Sequence, residues 1–291
     1  MTGRTLSFEF FPPRTPEAVG RLELARARLA RFGPAFFSVT FGAGGSTRDL
    51  TLETVLAVRE VTGIECAPHI SCIGTPAAEL REILQRYRAH GIKRVVALRG
   101  DMPSGLTGFG ELRYANELVE FIRRETGREF HIEVAAYPEF HPQAPTAAAD
   151  LANFKRKVEA GADSAITQYF FNPDAYFRFV DDCTRMGITI PIVPGIMPIT
   201  NFSQLARFSD MCGAEIPRWL AKRLRDFGDD RAAIRDFGID VTTALCARLL
   251  EGGAPGLHFY TMNQSDALEA IFQRLGLSQE HGLGRGAQAL A

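Results

Sequence analysis

The sequence predicts an α/β protein folded as one (β/α)8 barrel, on three observations. Short apolar runs rich in Val, Ile and Phe alternate with longer stretches of helical period, eight such pairs can be counted, and no linker divides the 291 residues. Alternation of this kind marks βαβ units and a parallel sheet. Eight units close into a barrel more naturally than into an open doubly wound sheet of about five or six strands. The length agrees, because such barrels run past about 250 residues as one domain.

Each element has its own signal. The first strand is expected at 5–11 (TLSFEFF) and the first helix at 16–32. The second strand, 36–41 (FFSVTF), passes through a glycine-rich loop into a helical pattern at 47–61. Strand three, 64–70 (IECAPHI), precedes a helix at 76–90, and strand four, 93–98 (KRVVAL), one at 114–126. Strand five, 131–137 (HIEVAAY), and strand six, 163–168 (DSAITQ), lead to helices at 146–160 and 173–187. Strand seven, 189–194 (TIPIVP), is followed by a helix at 201–211 and an extra helical stretch at 215–251. Strand eight, 256–261 (GLHFYT), and a helix at 264–275 complete the barrel. Several helices open on Ser, Thr or Asn, whose side chains cap free N–H groups. A single catalytic domain over 1–291 is expected, with a polar, Gly-containing tail at 278–291 that frays.

Composition narrows the class. Acidic and basic residues nearly balance, 34 against 33, and basic clusters are short, so no nucleic-acid partner is expected. No segment offers the roughly 18 to 20 apolar residues that span a bilayer, and the N-terminus enters an apolar run by Leu6 without a charged leader. A cytoplasmic protein is expected, with its five cysteines reduced.

In such barrels chemistry sits where strands end and βα loops begin. Glu9 alternates with Phe8 and Phe10, which puts it on the opposite face with Ser7 and Phe11. An inward-facing Glu is desolvated, which favours its protonated form and suits a general acid; a rim Glu paired to an Arg is the alternative. Asp101 follows strand four after Gly100 and either projects over the barrel top or caps a turn. Two such carboxylates also suit a glycosidase, which gives no reason for the flanking features. The loop from Phe41 to Thr47 either brings amides close to a phosphate or flat ring, or simply makes a tight connection. It is no GxGxxG fingerprint.

Cys66, His69 and Cys72 mimic a metal spacing, but period two sends His69 to the other face, so no metal is expected. His69 and His141 suit cofactor contacts or ordinary structural histidines. Asp150, Asn153 and Lys157, with Arg156 beside them, form a polar helix stripe, by default a solvated face. Gln168 closes an apolar strand with an amide that both donates and accepts, and Phe208 reads as core. The four lysines (Lys93, Lys155, Lys157, Lys222) avoid the strand C-termini, which disfavours a Schiff-base aldolase. The absence of HxH on strand one and of HExxH disfavours a metal-dependent hydrolase.

The runs SFEFFPPRT (7–15), SVTFGAGGSTRDLT (38–51), APHISCIGT (67–75), ALRGDMP (97–103), VAAYPEFHP (134–142), DLANFKRKVEAGADSAITQYFFN (150–172), PGIMPITNF (194–202) and GLHFYTMN (256–263) together resemble the methylenetetrahydrofolate reductase family, bacterial type. The resemblance implies bound FAD shuttling a hydride from NADH or NADPH to 5,10-methylenetetrahydrofolate, with ping-pong kinetics, in the one-carbon metabolism that supplies methionine. By resemblance Glu9 is the proton donor, and Asp101 is a carboxylate beside flavin and folate whose charge favours hydride donation. Flavin contacts carry over onto Thr40, His69, Arg99, Gly100, Asp101, Tyr137, His141, Asp150, Asn153, Arg156 and Lys157, the last two facing the diphosphate. Gln168, Gln204 and Phe208 match positions that meet folate or nicotinamide. Gln264 stands where bacterial relatives can carry an Arg for the substrate's glutamate tail. A homo-oligomer is implied, and S-adenosylmethionine control is not expected without the C-terminal regulatory domain of eukaryotic relatives. The competing readings are a proline dehydrogenase-like FAD barrel and a flavin- or folate-binding barrel without catalysis.

Overall fold

The computed structural model describes residues 4–42, 48–101 and 110–277. The expected frayed tail, most of the glycine-rich loop and Met102 and Pro103 lie outside them. Parallel strands β1 (Thr5–Phe10), β2 (Phe36–Val39), β3 (Cys66–Ser71), β4 (Arg94–Leu98), β5 (His131–Ala136) and β6 (Ser164–Thr167) pair in sequence order. β7 (Ile192–Val193) adds to β6, while β8 (Gly195–Ile196) pairs with β9 (Gly256–Tyr260), which returns to β1.

Of the predicted seventh strand, 189–194, only Ile192–Val193 forms strand; the ladder resumes past Pro194 at β8, and the sheet comes round on itself across that proline. The two prolines explain the interruption, since neither has an N–H to donate. Their carbonyls still serve the ladder: Pro191 O accepts from Ala165 N at 2.9 Å and Pro194 O from His258 N at 3.0 Å. Gly195 completes the closure because the chains nearly touch there. A Cβ on it would sit 2.0 Å from the Thr167 carbonyl oxygen and 2.7 Å from the Tyr260 ring.

Helices α1 (Pro16–Ala30), α2 (Arg48–Thr62), α3 (Ala77–Ala89), α4 (Ala115–Thr126), α5 (Ala147–Glu159), α6 (Pro173–Arg185) and α7 (Phe202–Cys212) follow the strands in turn. Thr15, Thr146, Asn172 and Asn201 cap four of them with their side chains, as expected from sequence. The extra helical stretch resolves into α8 (Arg218–Asp226) and α9 (Arg231–Glu251), and α10 (Asp266–Arg274) closes the barrel's outer layer. The break before α9 carries a new cap, Asp230, which accepts from Ala233 N.

The two-residue period of β1 sorts its side chains. Phe8 and Phe10 face the helices, where Phe8 packs within about 6 Å of Phe37, Phe259 and Phe272. Ser7, Ser38, His69 and His258 are buried polar residues on the inner face, beside the apolar set Phe36, Ala67, Val96 and Ile166. Cys66 and Cys72 belong to the outer core and His69 to the interior, the separation that the strand period requires. A smaller core under α7, α8 and α9 gathers Tyr169, Phe171, Ile199, Leu205 and Leu220. Among the described residues no helix is long and apolar enough to cross a membrane.

Candidate active site

At the C-terminal ends of the strands lies a cavity of about 990 Å³. Its walls come from the loops after β4 and β5, from α5, from the end of β6 and from α7. Arg99, Gly100 and Asp101 enter from β4, Tyr137 and His141 from the loop after β5, and Gln168 from the end of β6. One face of α5 supplies Asp150, Asn153, Arg156 and Lys157, and α7 supplies Phe208. The polar stripe thus faces a cavity instead of bulk solvent, and Phe208 lines it too.

Local hydrogen bonds hold this wall. Asp150 accepts from the His141 backbone N–H at 2.9 Å, and Gln143 N donates to His141 Nδ1 at 3.0 Å, which fixes the ring. The ring meets Tyr137 edge-on at 4.7 Å. Arg99 is held by Gln143 Oε1 at 2.6 Å, and Arg156 by Asn153 Oδ1 at 2.6 Å. Lys157 donates to the Ala135 carbonyl. Burial pulls the Lys157 ammonium down to about 8, opposed by the Asp150 carboxylate, so it remains mostly charged at neutral pH. Burial likewise lowers His141, and raises the Tyr137 phenol to about 12. Gly100 has φ +85°, and a Cβ there would meet the Ser71 side chain at 2.8 Å. Only glycine lets β4 leave the barrel along this path.

Glu9 sits at the end of β1 with 19% of its side chain exposed. Its Oε2 lies 3.4 Å from His69 Nε2 and 3.8 Å from His258 Nε2. His258 is fixed from behind by Ser7 Oγ, 2.8 Å from its Nδ1. Neither Nε2 has a hydrogen-bond partner among the described residues. Burial keeps the His69 imidazole below its usual range, with Glu9 pulling the other way and His258 adding to the burial effect. At neutral pH His69 therefore gives Glu9 a dipole and no net charge.

Thr40 lies just past β2, its N–H on the Phe10 carbonyl at 2.9 Å, half-buried beside the end of β1. Neither it nor Glu9 nor His69 lines the cavity. Gln204 is half-buried in the first turn of α7, where its backbone meets the Asn201 cap at 2.9 Å, and Gln264 is exposed on the turn after β9. Neither reaches the cavity wall.

Residues that sequence reasoning passed over include Gln143, Tyr169 and Cys212 on the wall, and His258 facing Glu9. His258 alone had a readable signal: it is polar in an otherwise apolar strand and shares the inward register of Ser7. Among the described residues no group of three His, Cys, Asp or Glu side chains is gathered to hold a metal.

A family model described as Methylenetetrahydrofolate reductase matches residues 2–276. The 5,10-methylenetetrahydrofolate reductase of Escherichia coli K12 is 43% identical over 272 residues, covering 94% of this chain and 90% of its own. A Zea mays relative, "Methylenetetrahydrofolate reductase (NADH) 1", is 40% identical over 97% of this chain, which spans 50% of that longer protein. Among solved structures, an uncharacterized Clostridium thermocellum protein said to bind two copies of 5-methyl-5,6,7,8-tetrahydrofolic acid superposes with a TM-score of 0.64 at 16% identity, covering 94% of both chains, a likeness of fold. A match that runs through nearly every strand and helix of the barrel makes this chain a member of the methylenetetrahydrofolate reductase family.

Proposed function

We propose that the chain reduces 5,10-methylenetetrahydrofolate to 5-methyltetrahydrofolate with NADH or NADPH, and that it holds FAD in the cavity. The donor set fits such a cofactor. Two cations on one turn of α5, Arg156 and Lys157, suit a diphosphate, and the Tyr137, His141 and Arg99 wall suits a flat ring edged with polar atoms. FAD, when bound, supplies hydride transfer between the nicotinamide and the folate.

The chain's own residues would do the rest. Glu9 gives a proton to the bridge nitrogen as the methylene bridge opens, and the carbon it leaves behind accepts the hydride as an iminium. Product forms with one proton and one hydride consumed. A general acid positioned at the reacting nitrogen lowers the barrier to that opening. Asp101 sets a negative charge at the rim after β4, and Gln168 offers both donor and acceptor to a pterin edge.

The observation that carries this reading is the placement of Glu9. It is the carboxylate at the C-terminal end of β1, the end of the barrel at which the cavity lies, bracketed by two buried imidazoles. The test is a visible spectrum of the purified protein, followed anaerobically by NADH and then by methylenetetrahydrofolate. A yellow protein that bleaches and then recolours supports both half-reactions. Recolouring only with another acceptor, proline-derived or otherwise, would leave the flavin and remove the folate. A protein colourless after added FAD would remove the cofactor.

A further inference from the structure

The pairing of β1 with β9 ends at Glu9 and Tyr260, yet the backbone of β1 stays hydrogen-bonded for two residues more. Thr261 is the first bridge: its N–H and its Oγ1 both donate to the Glu9 carbonyl, at 3.3 and 2.7 Å. The chain then turns away through Met262 and Asn263, with φ of +52° and +54°. A left-handed pair of non-glycine residues is unfavourable, least for Asn, and persists only where the surroundings enforce it.

The surroundings here are specific. The Asn263 side chain is 3% exposed; its Oδ1 accepts from Phe11 N at 3.0 Å and its Nδ2 donates to Phe11 O at 2.9 Å. Its own N–H closes on Thr261 Oγ1 at 3.0 Å. One primary amide therefore stands in for the next peptide of the ladder that the turning chain no longer supplies. From the other side Thr40 N holds the Phe10 carbonyl at 2.9 Å. The backbone on both sides of the Glu9 side chain is thus pinned.

We infer that Asn263, with Thr261, is a positioning residue for the reaction: it extends the β1–β9 ladder past Glu9 and so holds that carboxyl at its place beside His69. The inference rests on the proton-donor reading of Glu9. Asn263 acts through the backbone and touches no substrate in this account. A misplacement of about 1 Å at a reacting group costs on the order of a hundredfold in rate, so loosening this clamp should be felt at Glu9's step and nowhere else.

The test compares wild-type holoenzyme with Asn263→Gly and Asn263→Asp. Glycine accepts the positive φ without strain and removes both bonds; aspartate tolerates the turn, keeps the acceptor for Phe11 N and loses the donor. Stopped-flow rates are read for each half-reaction, and amide hydrogen exchange is read over residues 5–14. Expected are faster exchange in that segment, unchanged reduction by NADH, and reoxidation by methylenetetrahydrofolate slowed about tenfold to a hundredfold in Asn263→Gly and less in Asn263→Asp. Equal folate rates in all three proteins, or NADH and folate rates falling together with the melting temperature, would overturn the inference and leave the proposed function standing. A wild type inert toward the folate would sink both. Exchange over 5–14 identical in all three proteins would show that no clamp exists.

Discussion

Glu9 shows how little of a residue's role its identity contains. The same side chain one position away in β1 would point into the aromatic layer of Phe8, Phe37 and Phe259, where an ionisable group has no partner. In its own position it meets His69 and His258. Glu9→Gln keeps the shape and the dipoles and removes the proton. Reduction of the bound flavin by NADH should be unchanged, while reoxidation by methylenetetrahydrofolate should fall by about a hundredfold to ten-thousandfold, read by anaerobic stopped-flow absorbance. Full folate activity in this variant would end its assignment as proton donor. The inward direction of Glu9 was legible in the sequence, because alternation with two phenylalanines leaves no other face. That His69 and His258 meet there was not, because they arrive from β3 and β9 and only the fold makes them neighbours.

Among the elements, α5 carries the clearest division of labour. Phe154 is its one fully buried side chain, while Asp150, Asn153, Arg156 and Lys157 turn to the cavity. A polar stripe of this spacing is indistinguishable in sequence from a solvated face; what differs is the β5 loop and α7 standing opposite it. Lys157→Met keeps the length of the side chain but removes the ammonium and its hydrogen bond to the Ala135 carbonyl. The protein should fold, and FAD should be lost more readily, seen as less flavin retained on desalting and a smaller rise in melting temperature on adding FAD. Equal retention would detach Lys157 from the cofactor. The seventh strand is the element that the sequence predicted least well. Pro191 and Pro194 lay in plain view within the predicted strand, and a proline inside a parallel strand signals a gap in donors. Period and composition outweighed that signal, and of that strand the structure keeps only Ile192–Val193. Gly195→Ala should destabilise the fold by about 3 kcal/mol or more, since its Cβ meets backbone that cannot yield. A urea midpoint equal to wild type would contradict that.

At the scale of the molecule the two ends of the barrel use charge differently. The upper end leaves cations and carboxylates facing a cavity; the lower end neutralises them. Glu133 is buried there, hydrogen-bonded by Ser164 Oγ at 2.6 Å, contacted by His131 Nε2 at 3.2 Å and paired with Arg94, which also reaches Glu65 at 3.3 Å. Burial alone would push the Glu133 carboxyl up, but the His131 and Ser164 hydrogen bonds and the Arg94 charge hold it below the ordinary range. A carboxyl lowered in the folded state stabilises above its unfolded value, about 4.3, and that contribution is lost as pH falls through the folded value. Urea midpoints measured from pH 7 towards pH 3 should therefore decline for wild type. Glu133→Gln should start lower at pH 7, with Arg94 short of a partner, and decline less steeply. Parallel profiles would show that this network does not govern the acid limb. Conservation of one period through all the strands made the barrel readable from sequence, whereas this ion network joins residues of β4, β5, β6 and the segment before β3 that no local pattern connects.

The seam at Pro194 bears on how the chain is made. Strands β1 to β7 emerge from the ribosome first, and they can form only an arc with bare margins at β1 and β7. The β1 margin waits longest, because the strand that covers it on that side, β9, begins only at residue 256, while β9's other partner, β8, follows β7 through a single proline. Until then the nascent protein carries two open templates for strand addition by a neighbour, the hazard that chaperones exist to mask. A ribosome stalled before residue 256 would hold an unfinished ring, and β9, which joins β8 to β1, is the clasp that turns it into a closed one.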